Sequence, residues 1–318
     1  MDNLTHGLLG AAIGMVRRRE GGPERAAPLT ETDKAVVWAA VLAAELPDVD
    51  VFFGGGSPLA SLVYHRGITH SLAAAPLLAL AATGLVKLRW RRARTGVVYL
   101  WSLASLLLAH LVNDWMTGWG TRLLLPWSDA RLALDWVPIV DPLYTLPLLV
   151  GVLVAWRRPH LRRRAAGAAL VYLFLYAVGY RGLSHTWLTA QVRAHYQGQP
   201  VQALRVSPSL FSPVAWQVTV DLGDRYEQGT ASLVRPYQVE RVVAKAPEDP
   251  VVQALRRAPE LKPFFDHYRF PVIEYRQTGD GYVAVLGDVR YQFRGRSLGY
   301  EVHLTPDLQV RRIVGGGW

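Results

Sequence analysis

Apolar residues along the chain gather into six blocks separated by polar breaks, at about 4–16, 35–47, 70–86, 97–113, 142–156 and 165–184. The last four approach or reach the roughly 20 residues that cross a bilayer as a helix, whereas the first two are short. Short apolar helices survive at membrane depth when other helices surround them, so all six are read here as membrane segments. After about Ser184 the pattern changes to period two. AWQVTVDL, GYVAVLGDVRYQF and GYEVHLTPDLQVRRI alternate, with the turn signals DLGD and TGDG between them, and a short amphipathic helix, TWLTAQVRAHY, precedes the strands. The predicted architecture is an α-helical polytopic membrane domain of about six segments over 1–184, followed by a small soluble α+β domain over 185–318. There is no internal repeat and no low-complexity stretch.

The basic residues give this pattern a direction. RRREGGPER (17–25), KLRWRRAR (87–94) and RRPHLRRR (157–164) fall between segments one and two, three and four, and five and six. By the positive-inside rule these loops face the cytoplasm of a bacterial-type inner membrane. The connections 48–69 and 114–141, the N-terminus and the C-terminal domain then lie outside. The first apolar block follows an acidic start, which is not the layout of a cleavable signal.

Composition supports a membrane protein and narrows its chemistry. Hydrophobic residues make up 51% of the 318 positions, and 11 tryptophans include Trp115, Trp119, Trp127 and Trp136 in one outer connection, an interfacial belt. The formal charge of +10 comes in short clusters between apolar runs instead of on a polar domain, which argues against nucleic acid as a partner. With no cysteine, neither a disulfide framework nor a thiolate metal site is open to the chain. Any metal must be held by histidine and carboxylate.

Those residues fall on one side of the predicted topology. His6 opens segment one, Asp48 and Asp50 follow segment two in ELPDVD, and His65 and His70 bracket the HRGITH loop before segment three. His110 and Asp114 close segment four, and Asp141 opens segment five. His110 and Asp114 are four apart and share a helix face. Asp48 and Asp50, after Pro47, are read as an extended turn whose carboxylates point the same way. Gly67 supplies the freedom to fold His65 back beside His70. Four histidines and four carboxylates exceed the three protein ligands of a mononuclear catalytic zinc, leaving room for one or two ions, most simply zinc, and for a general base such as Asp48. Arg66 is the cation placed to meet an anion.

Each residue also has a structural reading. Asp141 before Pro142 suits a helix N-cap, Thr69 could cap segment three, Asp2 or Asn3 could cap segment one, and His6 could bond a neighbouring helix. As a set, ionisable groups beside membrane segments are costly and point to function. His160, His195, His267 and His303 lie away from the set, and His185 is a weaker further member.

The motifs DNLTHGLLGAAIG, ELPDVD, HRGITHSL and HLVNDWMTGWGTRLLLPWS followed by DWVPIVDPLYTLPLL, in that order over roughly residues 1–155, resemble the YdjM-type inner-membrane proteins, described as membrane-bound metal-dependent hydrolases. The resemblance implies a metal-dependent hydrolase whose polar positions are His6, Asp48, Asp50, His65, His70, His110, Asp114 and Asp141. A site at the membrane interface, fringed by tryptophan, implies a lipid-linked or phosphoester substrate and the bilayer itself as partner. The rival readings are a transporter, whose site would lie near the midplane, and a non-catalytic scaffold around a structural metal. A metalloprotease of the H-E-x-x-H kind is excluded, since that motif is absent.

Overall fold

The computed structural model describes residues 1–18, 29–53, 57–209, 212–293 and 296–315, with backbone alone at 292, 293 and 296–298. Chain contacts divide it into one unit made of 1–51, 66–187 and 207–213, and a second made of 52–65, 188–206 and 214–318.

The first unit is helical. It contains α1 (Asn3–Val16), α2 (Glu31–Glu45), α4 (Ala75–Arg89), α5 (Thr95–Ser105), α6 (Val112–Met116), α7 (Pro142–Arg157) and α8 (Arg162–Phe174), while α3 (Ala60–Tyr64) belongs to the second unit and α9 (Leu183–His195) continues from α8. Local chemistry sets the starts. Asp2 accepts the Thr5 N–H at α1, Thr30 and Asp33 form a reciprocal capping box at α2, and Asp141 accepts the Leu143 N–H with Pro142 in the first turn of α7. Segment three starts later than its sequence suggests, because Ser71 Oγ accepts the Ala74 N–H and Thr69 is engaged elsewhere. α1 lies directly on α2 through a small-residue stripe. A Cβ at Gly10 would come 2.6 Å from the Ala40 carbonyl oxygen, and one at Gly14 would come 2.7 Å from Val37 Cα. This is the G-x-x-x-G device by which helix backbones approach in membranes.

All six apolar blocks form helices, but six membrane spans do not follow. Among the described residues two runs are long and apolar enough to cross a bilayer, Thr95–Met116 and Arg162–His195, or up to three if the bent pair Ala60–His70 and Ala75–Arg89 counts as one. The physical reason is length and charge. α1 has 14 residues, only about 21 Å of helix against a hydrocarbon core of about 30 Å. α2 carries Glu31, Asp33, Lys34 and Glu45 in its 15 residues. The amphipathic stretch after Ser184 is the last part of the Arg162–His195 run, which stays helical through Gly179 and Gly182 by way of a π-helical turn. Of the basic stretch 17–25, all but Arg17 and Arg18 lie outside the described residues.

Both long runs contain a π-helical turn, at Leu106–Leu111 and Leu175–Gly182. Such bulges rotate the following side chains out of the α register. Met1, Leu9, Ala12, Ile13, Tyr144 and Leu148 are among the buried residues of the main core cluster in this unit.

The second unit carries two four-stranded antiparallel sheets, β1 (Ala203–Pro208), β2 (Ala215–Asp221), β3 (Arg225–Ser232) and β4 (Arg235–Ala244) in one, and β5 (Pro271–Thr278), β6 (Gly281–Phe293), β7 (Arg296–Leu304) and β8 (Val310–Val314) in the other, each in sequential order. The predicted alternating stretches supply β2, β6, β7 and β8. The turn signals DLGD and TGDG fall between β2 and β3 and between β5 and β6. Short helices α10 (Pro250–Arg257) and α11 (Lys262–His267) separate the sheets.

One buried carboxylate ties the second sheet to the segment before it. Asp288, fully enclosed, accepts the Phe270 N–H at 3.2 Å, the Arg290 N–H at 3.0 Å, and Arg290 Nε and Nη2 at 2.7 and 2.6 Å. Asp288→Ala leaves a largely buried guanidinium unpaired, a loss of about 3–5 kcal/mol. Hydrogen exchange on the full chain should show β5 and β6 amides losing protection while the helical unit keeps its own; unchanged protection would show that the pair contributes nothing to this unit's stability.

Candidate metal centre

The centre forms where α1 begins, α2 ends, the HRGITH loop turns and the long Thr95–Met116 run closes. Three imidazoles meet there, each fully buried at His6, His70 and His110. His6 Nδ1 donates to the Ala109 carbonyl at 2.7 Å and His110 Nδ1 donates to the Ala44 carbonyl at 2.5 Å. A carbonyl only accepts, so in each neutral ring the proton sits on Nδ1 and Nε2 presents a lone pair. His70 Nδ1 lies 3.0 Å from Asp50 Oδ2 and 3.1 Å from Thr69 Oγ1, which turns its Nε2 to the same point.

The Nε2 atoms face carboxylates. His70 Nε2 is 3.0 Å from His110 Nε2, 3.2 Å from Asp48 Oδ1 and 3.4 Å from Asp114 Oδ2. His110 Nε2 is 3.7 Å from Asp48 Oδ1 and 3.8 Å from Asp114 Oδ2. Lone pairs aimed at lone pairs repel unless a cation lies among them. Four ligands at zinc-like bond lengths of 2.0–2.1 Å stand about 3.3 Å apart in a tetrahedron, and the distances above run from 3.0 to 3.8 Å around that value. His70, His110, Asp48 and Asp114 could therefore hold a metal ion. His6 offers a fifth ligand atom, the third nitrogen. Its Nε2 is buried, faces Asp114 Oδ1 at 3.3 Å and makes no hydrogen bond of good geometry, while its ring stacks on His110 at 4.1 Å.

The surroundings hold these ligands in place. Asp114 receives Arg66 Nε at 2.9 Å and the Met1 amino group, and Arg66 Nη1 bonds the Asp114 carbonyl at 3.2 Å and Thr117 Oγ1 at 2.8 Å. Arg66 is 3% exposed, so its charge is committed to this cluster. The left-handed residue of the loop is Arg66, at φ 57°, and not Gly67. A non-glycine residue there costs on the order of 1–3 kcal/mol and persists because its N–H is anchored on Asp50 Oδ2 at 3.0 Å. Asp48 and Asp50 sit in a 3-10 turn, Leu46–Phe52, instead of an extended one, and they grip opposite nitrogens of the same His70 ring. The Asp48 side chain is 10% exposed, against 0% for His70 and 1% for Asp114, which marks the side from which solvent reaches the centre.

His65, half-buried, lies outside the four-ligand set but forms a second group with Asp50 and His70, their ligand atoms within 4.8 Å of one another, that could hold a metal ion. One sequence-predicted residue stands elsewhere. Asp141 caps α7 with one oxygen and accepts Tyr176 O–H at 2.9 Å with the other, with Arg181 at 3.7 Å. Sequence reading missed Thr69 and Thr117, which bind the site carboxylate Asp50 and Arg66, and Asn113, whose amide donates to the Ala109 carbonyl that also holds His6. A threonine or asparagine one to three residues from a metal-like residue is the only sequence signal any of them carried.

A family model described as YdjM inner membrane protein matches residues 1–188, more than half of the chain. The chain belongs to the YdjM family. The chain is similar to a protein named uncharacterized protein YfhP of Bacillus subtilis (strain 168), 23% identical over 331 residues that cover 99% of this chain and 95% of the relative. No solved structure matches it. All the ligands of the centre described above fall inside the YdjM region, and the two sheets lie after it. The family description and the two long apolar helices together place this YdjM protein among membrane proteins.

Proposed function

We propose that this YdjM protein is a membrane-embedded metal-dependent hydrolase acting on a phosphoester or lipid-linked substrate. The observation that carries the reading is the convergence of His70, His110, Asp48 and Asp114, with ligand atoms all within 4.8 Å of one another in a pocket of pinned imidazoles. A divalent ion such as zinc, bound there, supplies Lewis acidity and lowers the pKa of a coordinated water. His70 and His110, their Nδ1 protons fixed by Asp50 and the Ala44 carbonyl, offer Nε2 with no reorientation. Asp114 is held still by Arg66, whose buried charge fixes the carboxylate in place. Asp48, the most exposed ligand, would be the group to accept a proton from a water at the centre. His6, at one edge of the set, gives room for a second ion.

With KLRWRRAR at 87–94 just before the Thr95–Met116 run, the positive-inside rule supports a cytoplasmic start for that run and a centre, at its far end, on the outer side. A second reading is supported by the same geometry: four protein ligands complete a tetrahedron, as in structural sites, so a non-catalytic scaffold would use this set equally well. Metal content and turnover separate the two. Detergent-purified protein should carry about one or two divalent ions per chain, lose phosphoester-lipid hydrolysis on chelation and regain it with zinc. Full metal content with no turnover on any phosphoester lipid would retire the hydrolase and leave the scaffold. No metal at all would retire both.

A further inference from the structure

The DPLYTLPLL stretch reaches the metal centre through residues other than its aspartate. Asp141 turns to Tyr176, whereas Tyr144 and Thr145, one turn further along α7, both connect to the elements that carry His6. Thr145 Oγ1 lies 2.7 Å from Thr5 Oγ1, and because the Thr5 hydroxyl donates to Asp2 Oδ2 at 2.7 Å, Thr145 is the donor to Thr5. The neighbouring Tyr144 hydroxyl donates to Asn113 Oδ1 at 2.7 Å. Asn113 Nδ2 in turn donates to the Leu108 and Ala109 carbonyls at 3.1 and 3.2 Å, and the Ala109 carbonyl is the one that accepts His6 Nδ1 at 2.7 Å.

The direction of every bond in this chain is fixed. Carbonyls only accept, so Asn113 turns its Nδ2 to them and leaves Oδ1 for the phenol, while the two lone pairs of the Ala109 carbonyl serve Asn113 and His6 together. Leu108 and Ala109 belong to the π-helical turn Leu106–Leu111, where the Val112 N–H bonds the Leu107 carbonyl five residues back. Such turns recur at functional sites. Tyr144 is 2% and Asn113 3% exposed, and polar groups buried among apolar helices are costly when unpaired. A phenylalanine would fill the Tyr144 position without that cost. We propose that Tyr144 is a positioning residue of the metal centre: through Asn113 and the Ala109 carbonyl it fixes the His6 ring, with Nε2 facing Asp114 and the cation. Removing the hydroxyl frees the Asn113 amide to rotate, which loosens the Ala109 carbonyl and with it the imidazole. The inference rests on the metal-centre reading and is independent of hydrolysis.

The test titrates the full chain in detergent with zinc against a competing chelator. Tyr144→Phe, which removes one oxygen, should weaken zinc binding by about 10-fold, the lower end of what loss of a ligand-orienting partner costs. In a His6→Ala background the same substitution should have no further effect, because a residue that acts through His6 then has nothing to position. Asn113→Ala should repeat both results and stands in where Tyr144→Phe does not fold. With cobalt in place of zinc, Tyr144→Phe should shift the visible spectrum in the direction that His6→Ala does, a change that a general loss of stability would not produce. Zinc affinity unaltered in Tyr144→Phe and Asn113→Ala, or an equal fall with and without His6, would overturn the proposal. An unaltered protein that binds no zinc would overturn the metal-centre reading itself, and this inference with it.

Discussion

His70→Ala is expected to strip the protein of its divalent metal, with retention falling by more than the roughly 10–100-fold that loss of a mere supporting residue costs. His70 contacts every other member of the four-ligand set through Nε2, at 3.0 to 3.4 Å, from inside a fully buried site. The same logic ranks the variants around it. Asp50→Ala keeps all four ligands but frees the ring to rotate, so metal affinity should fall by about 10–100-fold. Asp50→Asn, whose amide oxygen still accepts the Nδ1 proton, should restore much of it. Elemental analysis after equilibrium with a competing chelator reads both. Undiminished metal in His70→Ala would remove this cluster from any metal chemistry.

Asp114→Ala should cost the fold as well as the metal. The carboxylate is the counter-charge of Arg66, which is buried along with it, and leaving such a guanidinium unpaired costs about 3–5 kcal/mol. Arg66→Met removes the other partner, yet a bound cation can then compensate Asp114. The two variants are therefore expected to differ in one respect: Arg66→Met should approach normal thermal stability with zinc present and lose it on chelation, whereas Asp114→Ala should be destabilised in both conditions. Thermal scanning in detergent with and without chelator decides this. Equal behaviour of the two variants would mean that Asp114 neutralises Arg66 without taking part in cation binding.

Much of the helical unit was legible because its signals are local. The apolar blocks became α1, α2, α4, the Thr95–Met116 run, α7 and the Arg162–His195 run, and the caps at Asp2 and Asp141 were readable within a few residues. The spacing of His110 and Asp114 survived a π-helical turn that the sequence did not announce. Membrane crossing was less legible, since a 14-residue apolar helix and a spanning one share composition and differ in length. The alternating C-terminal stretches marked strands, but pairing them into two separate sheets depends on long-range register.

The sequence by itself determined which residue types are available for a cation, histidine and aspartate without cysteine, and that they stand at helix ends. Only the tertiary structure decided which of them share a centre. Asp48 and Asp50 are two residues apart, yet one faces Nε2 of His70 and the other Nδ1, a division of labour that follows from a 3-10 turn meeting the ring edge-on. Asp141, equal to Asp114 as a carboxylate at a helix end, was drawn instead to Tyr176 and Arg181. Ligand geometry is a property of distances among segments some 40 to 100 residues apart in the chain, and those distances are set by helix packing, through contacts such as Gly10 on Ala40, which no local pattern encodes.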